Sequence, residues 1–331
     1  MFAIINSISE ELTGNQHIKL IFEKLVNDYD SKFINVSELN NNKNNIKNFL
    51  LEKFNSLPKY YITFYGIGSL INIHKELSSF LKIICIVIDI HHSSKVIKEK
   101  LGVLKNIDIM FCTSGYEYNR WNMPITKKLF FFPHCGAWNI EFNNNPINKI
   151  LISGRISNIY QDRLFMYELA KTNKHLEIFK CNFNYIQKNK ENLVCGINYY
   201  NLLNKYLCCF VDTARDYMLA KIFEICSAGS LLLTMNENII DIFEDIGFVN
   251  NVNYISCNRD NISEKINFIC DPNNISIINN IRKNGYDLVN SKHNFINRYN
   301  MLINILNNND INYFNQNYKL KTSKFNTTYF Y

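Results

Sequence analysis

The sequence predicts an α/β protein of two Rossmann-like, doubly wound domains that face each other across an interdomain cleft. Three observations carry this. Short apolar runs alternate with segments of helical period along the chain, the pattern of parallel sheets wrapped by helices. The run from Lys82 to Ile90 is strongly apolar, as a strand buried on both faces must be. A polar, proline-containing stretch, EFNNNPIN at 141–148, separates two such alternating halves. At 331 residues and 47% hydrophobic content the chain can fill two cores.

The first half opens with a strand over Phe2 to Ile5 and a helix over Gln16 to Val26, where Ile18, Ile21, Phe22 and Leu25 recur at helical spacing. A strand at Phe33 to Val36 and a helix at Ile46 to Phe54 follow. Tyr60 to Phe64 is a third strand, and Ile71 to Phe80 is helical after the turn Gly66-Ile67-Gly68. Strands at Lys82 to Ile90, Ile107 to Cys112 and Leu129 to Phe132 complete the half. The second half restarts with a strand at Lys149 to Ser153, a helix from Gln161 to Thr172, a strand at Leu176 to Lys180 and a helix near Tyr199 to Lys205. Strands at Leu207 to Val211 and Leu231 to Thr234 flank a further helix, and Asn253 to Ser256 is a last short strand. Helices at Ile262 to Cys270, Ile275 to Val289 and Phe295 to Leu306 close the chain. The expected domains are 1–145 and 146–300, with 301–331 a terminal helix and tail that either crosses back to the first domain or frays.

Composition excludes more than it selects. The net charge of +7 comes from scattered lysines and suits nucleotides, nucleic acid and acidic membranes equally, with no stripe that marks duplex binding. Ten cysteines without a C-x-x-C pair read as reduced, buried small hydrophobes of a cytoplasmic protein. The N-terminus lacks the basic start and apolar run of a signal peptide, and no apolar stretch is long enough to span a bilayer. Paired histidines without a third ligand make no zinc site, and no D-x-D suggests manganese, so neither a metal nor another cofactor is expected. No G-x-G-x-x-G follows the first strand of either half, which disfavours a dinucleotide-dependent dehydrogenase.

The chemistry concentrates between residues 206 and 234. There a strand leads through a polar turn to a helix whose core stripe is Met218, Leu219, Ile222, Ile225 and Cys226. Lys221 and Glu224 lie off that stripe, so packing leaves them for a ligand. Asp216 stands eight residues before Glu224. A continuous helix would set them about 12 Å apart along its axis, roughly the reach from a sugar ring to the ribose of a sugar nucleotide. Glu224 can accept from two adjacent ribose hydroxyls, and Asp216 can hold a sugar hydroxyl. Upstream, ILISGRISNIYQDR at 150–163 is a strand ending in Gly154 before a helix, the geometry of a phosphate-binding βα turn. Arg155 can fork onto a diphosphate and Arg163 can add charge; a surface arginine after an ordinary βα turn is the alternative.

Together these motifs resemble the C-terminal half of GT-B glycosyltransferases of group 1, and most closely the subgroup that includes spore-maturation-type transferases. The likeness runs over about residues 148–305, through GR-x7-R at 154–163, D-x7-E at 216–224, KIFEICSAG at 221–229, NENIIDIF at 236–243 and HNFINR at 293–298. Asp216 stands where the family has its first glutamate. The resemblance implies that Arg155 and Arg163 hold the diphosphate, Glu224 the ribose, and Asn236, Glu237 and Asn238 the sugar or phosphate, with Gly154 and Lys221 as further donor-binding residues. His293 and Arg298 brace the C-terminal helix. It further implies transfer of a sugar from a nucleotide sugar to a glycan, glycoconjugate or other hydroxyl acceptor, without metal and with retained configuration.

The first half would then supply the acceptor side. Its candidates for a base are His91 and His92, oriented by Asp89 or replaced by it, because imidazole titrates near neutral pH. Gly14, in the first loop, and His134, at a strand end, are candidates to face the cleft; an ordinary N-cap turn is the alternative for the former. A non-catalytic nucleotide-sugar binder or scaffold and a nucleotide-sugar epimerase are the competing functions. Oligomeric state is not encoded legibly.

Overall fold

A computed structural model describes residues 3–6, 16–64, 75–87, 106–113, 128–156, 158, 160–179, 194–212, 218–235 and 237–308. Two compact units emerge: one groups 1–12, 18–133 and 302–331, the other 13–17 and 134–301.

The first unit is built on a six-stranded, wholly parallel sheet. Its strands are β1 (Ala3–Asn6), β2 (Lys32–Ile34), β3 (Tyr60–Phe64), β4 (Lys82–Val87), β5 (Ile109–Cys112) and β6 (Lys128–Phe131), in the order β2-β1-β3-β4-β5-β6. Helix α1 (Gln16–Asp28) buries Ile18, Ile21, Phe22 and Leu25 completely, the stripe its period predicts. Helix α3 (Ile46–Phe54) presents Ile46, Leu50 and Phe54 to the core. β5 and β6 shift by one or two residues from expectation, and one boundary changes the kind of element. The strand ends at Ile34, and Val36 opens a short helix, α2 (Val36–Asn41), instead of closing the strand. Its start is fixed by Glu38, whose carboxylate accepts from the Asn35 backbone N–H at 2.8 Å, half of a capping box that outweighs the β-branched residue's strand preference.

The second unit carries a five-stranded parallel sheet in the order β11-β10-β9-β7-β8. Its strands are β7 (Ile147–Ser153), β8 (Leu176–Phe179), β9 (Tyr206–Asp212), β10 (Leu231–Met235) and β11 (Ile255–Ser256). The helices are α4 (Gln161–Leu169), α5 (Ile197–Asn204), α6 (Ala220–Ser227), α7 (Ile240–Asp245), α8 (Ile262–Cys270), α9 (Ile275–Lys292) and the first half of α10 (Phe295–Asn308). Every residue of β9 and β10 is buried, the signature of strands covered on both faces. Ile150, Ile152, Cys208, Phe210, Leu231 and Leu233, alternate residues of three neighbouring strands, join Ile262, Ile266 and Ile269 of α8 in one core. Cys208 and Cys209 are both buried free thiols.

The stretch at 141–148 packs against the second unit rather than hanging free. Arg282 of α9 donates to the Asn143 carbonyl at 3.0 Å, and Phe142 meets the Tyr286 ring edge-on. Residues 134–140, ahead of it, also belong to this unit. At the other end, the division falls inside α10, and Leu302 onward groups with the first unit, where Tyr60 Oη donates to the Leu306 carbonyl at 2.8 Å. No helix among the described residues is long and apolar enough to cross a membrane.

Helix α9 lies against the β10–β11 connection at Gly285, where an added Cβ would sit 2.5 Å from the Asn253 carbonyl oxygen. Gly285→Ala therefore forces helix and loop apart and is expected to cost about 1–3 kcal/mol. An unchanged thermal midpoint would contradict that packing.

Candidate functional site

In an open parallel sheet, ligands collect beyond the carboxyl ends of the strands where the order reverses. In the second unit β7 has the later strand β9 on one side and β8 on the other, so chain progression reverses there. The ends of β7 and β9 are Ser153 and Asp212, and Asp212 pairs in register with Met235, the end of β10.

Beyond this edge, Gly154 turns with φ +109°, a conformation that L side chains rarely adopt. A Cβ at Gly154 would lie 2.9 Å from Arg163 Nη1 and 3.4 Å from Lys221 Nζ. Two cations thus converge on the one residue without a side chain.

Arg163 reaches this point from the first turn of α4 and is buried. Its Nη2 donates to Asp212 Oδ1 at 2.5 Å, and its own backbone N–H donates to Asp212 Oδ2 at 3.1 Å. The N-cap of α4 is Tyr160, which has no side-chain cap bond, so the carboxylate from β9 satisfies a donor that the local sequence leaves open. Nη1 donates to the Arg155 carbonyl at 2.8 Å, and the guanidinium lies 4.2 Å from the Tyr160 ring centroid. Nε is buried without a partner among the described residues. Arg155 itself is exposed, with no side-chain partner among the described residues.

Lys221 and Glu224 occupy one face of α6, three residues apart. Ile222, Phe223, Ile225 and Cys226 take the opposite face into the core, as the apolar period requires. Each of the two charged residues keeps part of its surface open while protein encloses the rest. Lys221 Nζ donates to the Ser153 carbonyl, and Ser153 Oγ lies 3.0 Å from Tyr199 Oη on α5. The Glu224 carboxylate has no hydrogen bond among the described residues.

Enclosure sets their titration. Burial, and then the Arg163 cation, bring Lys221 down to about 7 from 10.5, against the attraction of Asp212 and Glu224. Burial raises Glu224 to about 7 from 4.5, opposed by Lys221. Burial, then Glu224, push the Tyr199 phenol well above its ordinary range. Both Lys221 and Glu224 are held less comfortably charged in the fold than in the unfolded chain. The folded state therefore binds the Glu224 proton more tightly, and stability falls as pH rises from 4.5 to about 7. It releases the Lys221 proton more readily, and stability recovers as pH rises from about 7 to 10.5. The expected outcome is a local minimum in the thermal midpoint near neutral pH without ligand, and Lys221→Met should remove its rising limb. A midpoint that climbs steadily through neutrality would contradict this assignment.

The predicted helix from Asp216 to Glu224 is shorter than expected. Leu219 is extended, with φ −98° and ψ 148°, and α6 begins at Ala220, so the 12 Å helical separation does not hold. Asp216 lies outside the described residues, as do His91, His92, Asp89, Gly14 and Asn236. Asn238 lies within the 3-10 turn Glu237–Ile239, and Glu237 Oε1 accepts from Asn258 Nδ2 at 2.9 Å.

His134 is buried, with Nδ1 3.0 Å from His17 Nε2 in the same unit, and its carbonyl accepts from Arg298 Nη2 at 3.3 Å. Arg298 Nη2 also lies 2.6 Å from His293 Nδ1, and His293 Nε2 lies 2.8 Å from the Ile246 carbonyl, so both residues tie the start of α10 to the unit. Burial, then Arg298, hold His134 and His293 down near 3. The sequence reading missed Asp212, Ser153 and Tyr199. Asp212 left a trace, a lone acid closing an apolar strand; Tyr199 left none, since nothing local separates it from a core tyrosine.

No protein-family model and no curated protein matches the sequence. Solved structures do resemble the chain. HepE from Anabaena, in complex with UDP and glucose, is similar with TM-score 0.64 at 8% identity, covering 92% of this chain and 99% of that one. Sucrose-phosphate synthase from Thermosynechococcus elongatus gives 0.63 at 10% identity, covering 92% and 98%. A glycosyltransferase from Rickettsia africae gives 0.58 at 12% identity, covering 93% and 99%. These likenesses, with the two parallel sheets, establish the GT-B fold.

Proposed function

We propose that this chain is a glycosyltransferase of the group 1 type, moving a sugar from a nucleoside-diphosphate sugar to a glycan or other hydroxyl acceptor. One observation carries the reading. At the reversal point of the second sheet, Glu224, a carboxylate without a hydrogen-bond partner among the described residues, sits one helical turn from a cation, Lys221, beside the turn that bears the exposed Arg155. A ligand with a vicinal diol next to a diphosphate matches that charge pattern, since an ionised carboxylate only accepts and ammonium and guanidinium only donate. Solved neighbours bound to UDP and glucose, and to UDP-glucose, support the same ligand class.

In this reading Glu224 holds the ribose hydroxyls, while Arg155 and Lys221 offset the charge that grows on the departing diphosphate, with no metal ion required. Asn236, Glu237 and Asn238 follow β10 and serve the sugar, with Asp216 as the acid on a sugar hydroxyl. His91, His92 and Asp89 remain the proposed source of the acceptor's base. Retention of configuration is proposed on the family resemblance.

The deciding experiment incubates the protein with UDP-, GDP- and dTDP-sugars and follows the thermal midpoint and the release of nucleoside diphosphate. Stabilisation by at least one donor, with diphosphate released when a glycan acceptor is added, is the expected result. No stabilisation by any donor sinks the proposal. Binding without turnover favours a non-catalytic relative, and interconversion of the donor sugar favours an epimerase.

A further inference from the structure

Arg163 looks from sequence like a second phosphate-binding arginine, yet both of its terminal nitrogens are already committed and only Nε lacks a partner among the described residues. One guanidinium nitrogen and the backbone N–H go to Asp212, the other terminal nitrogen goes to the Arg155 carbonyl, and the plane is covered by Tyr160. A buried guanidinium clamped in this way cannot swing onto a ligand without leaving the Asp212 carboxylate buried and uncompensated. What the clamp does control is its surroundings. It grips the backbone of Arg155, the exposed cation of the turn, and its charge bears on Lys221 across Gly154.

We infer that Arg163 and Asp212 are positioning residues for the donor pocket: the pair fixes the turn that presents Arg155 and sets the field at Lys221, so that Arg155 and Lys221, rather than Arg163, contact the diphosphate. The inference rests on the nucleoside-diphosphate reading of the site. The groups acting on Lys221 are Arg163 from α4, Cys209 and Asp212 from β9, and Glu224 from its own helix, with the Ser153 carbonyl as its hydrogen-bond partner. Arg163 disfavours its proton, and Cys209, Asp212 and Glu224 favour it.

Binding of UDP, GDP and dTDP is measured by calorimetry at intervals from about pH 6 to 9, the range in which a lysine near 7 loses its proton. The proteins are wild type, Arg155→Gln, Arg163→Gln, Arg163→Lys, Asp212→Asn, and the doubles Arg155→Gln/Arg163→Gln and Arg163→Gln/Asp212→Asn. The last leaves no buried charge of the pair uncompensated and stands in for Arg163→Gln should that variant fail to fold. Arg155→Gln should weaken binding about tenfold, and adding Arg163→Gln should weaken it no further. Arg163→Gln should raise the pH at which affinity declines, and Asp212→Asn should lower it. Arg163→Lys keeps the charge but lacks the planar fork, so affinity should fall while the pH midpoint stays near that of wild type. A misfolded variant would not move the two midpoints in opposite directions.

Multiplicative losses at Arg155 and Arg163 would make Arg163 a direct ligand and overturn the inference, as would midpoints that fail to diverge. Should the wild type bind none of the three nucleotides, the proposed function falls, and the clamp is read separately by amide hydrogen exchange at 154–156. Faster exchange in Arg163→Gln/Asp212→Asn supports the clamp, and unchanged exchange overturns it.

Discussion

Glu224→Ala should abolish useful nucleotide binding, with the affinity of the best diphosphate at pH 8 falling by about 100-fold or more. The magnitude follows from two charge-assisted hydrogen bonds to vicinal hydroxyls, each worth about 1.5–3 kcal/mol. Glu224→Gln keeps the shape and one acceptor, and should lose less. Stability should move the other way. Glu224 is raised to about 7 because protein encloses a carboxyl that has no hydrogen-bond partner among the described residues. Its folded form favours the proton, so the ionised group opposes folding above neutrality, and Glu224→Gln removes that opposition. The thermal midpoint of the ligand-free variant at pH 8 should exceed that of wild type by a few degrees, the trade between stability and function seen when a charge is kept for a ligand. Unchanged nucleotide affinity in Glu224→Ala would remove the residue from the site. A lower midpoint in Glu224→Gln would show that the carboxylate has a structural partner.

The second large effect lies away from the pocket. Arg282 is among the most deeply buried side chains of the second unit and has no acidic partner among the described residues. Its Nε and Nη2 donate to the Gly229 carbonyl at 3.1 and 2.7 Å, Nη2 also reaches the Asn143 carbonyl at 3.0 Å, and Nη1 reaches Asn279 Oδ1 at 2.6 Å. The cation lies 4.7 Å from the Phe142 ring centroid, and burial lowers it to about 10. Arg282→Ala strands two carbonyls and opens a cavity, so about 4 kcal/mol should be lost, or roughly 8–16 °C in the midpoint of the second unit. Arg282→Lys should recover little, because a point charge cannot serve three elements at once. A loss of only a degree or two in Arg282→Ala would mean that the 141–148 stretch is held by other contacts.

The elements that carry the site were legible because each announces itself locally. The run from Leu207 to Val211 and the stretch from Leu231 to Thr234 appear as strands with one extra residue at either end or at the carboxyl end. The stripe of α6 is apolar on one side only, which already sets Lys221 and Glu224 apart from the core. The start of that helix was misread because Met218 and Leu219 continue the apolar period while their backbone is extended at Leu219. Periodicity reports which side chains are buried, and an extended residue entering a helix can bury its side chain as well as a helical one.

Arg163 shows the converse. Its place after Gly154 suggested a phosphate ligand, and only the neighbour across the sheet shows where its donors go. Asp212 is 49 residues further along the chain, and no local pattern links the two.

The sequence by itself determined the fold class, most element positions, the glycine turn at 154 and the polar side of α6, since these follow from side-chain period and backbone preference within a few residues. Strand order is a matter of tertiary structure. Buried parallel strands look alike in sequence, and their ladders are made by backbone groups common to every residue, so nothing local dictates that β9 lies beside β7. That adjacency brings Asp212 to Arg163, ties the guanidinium to a carboxylate from a neighbouring strand, and leaves Glu224 and Lys221 enclosed yet open at the same edge.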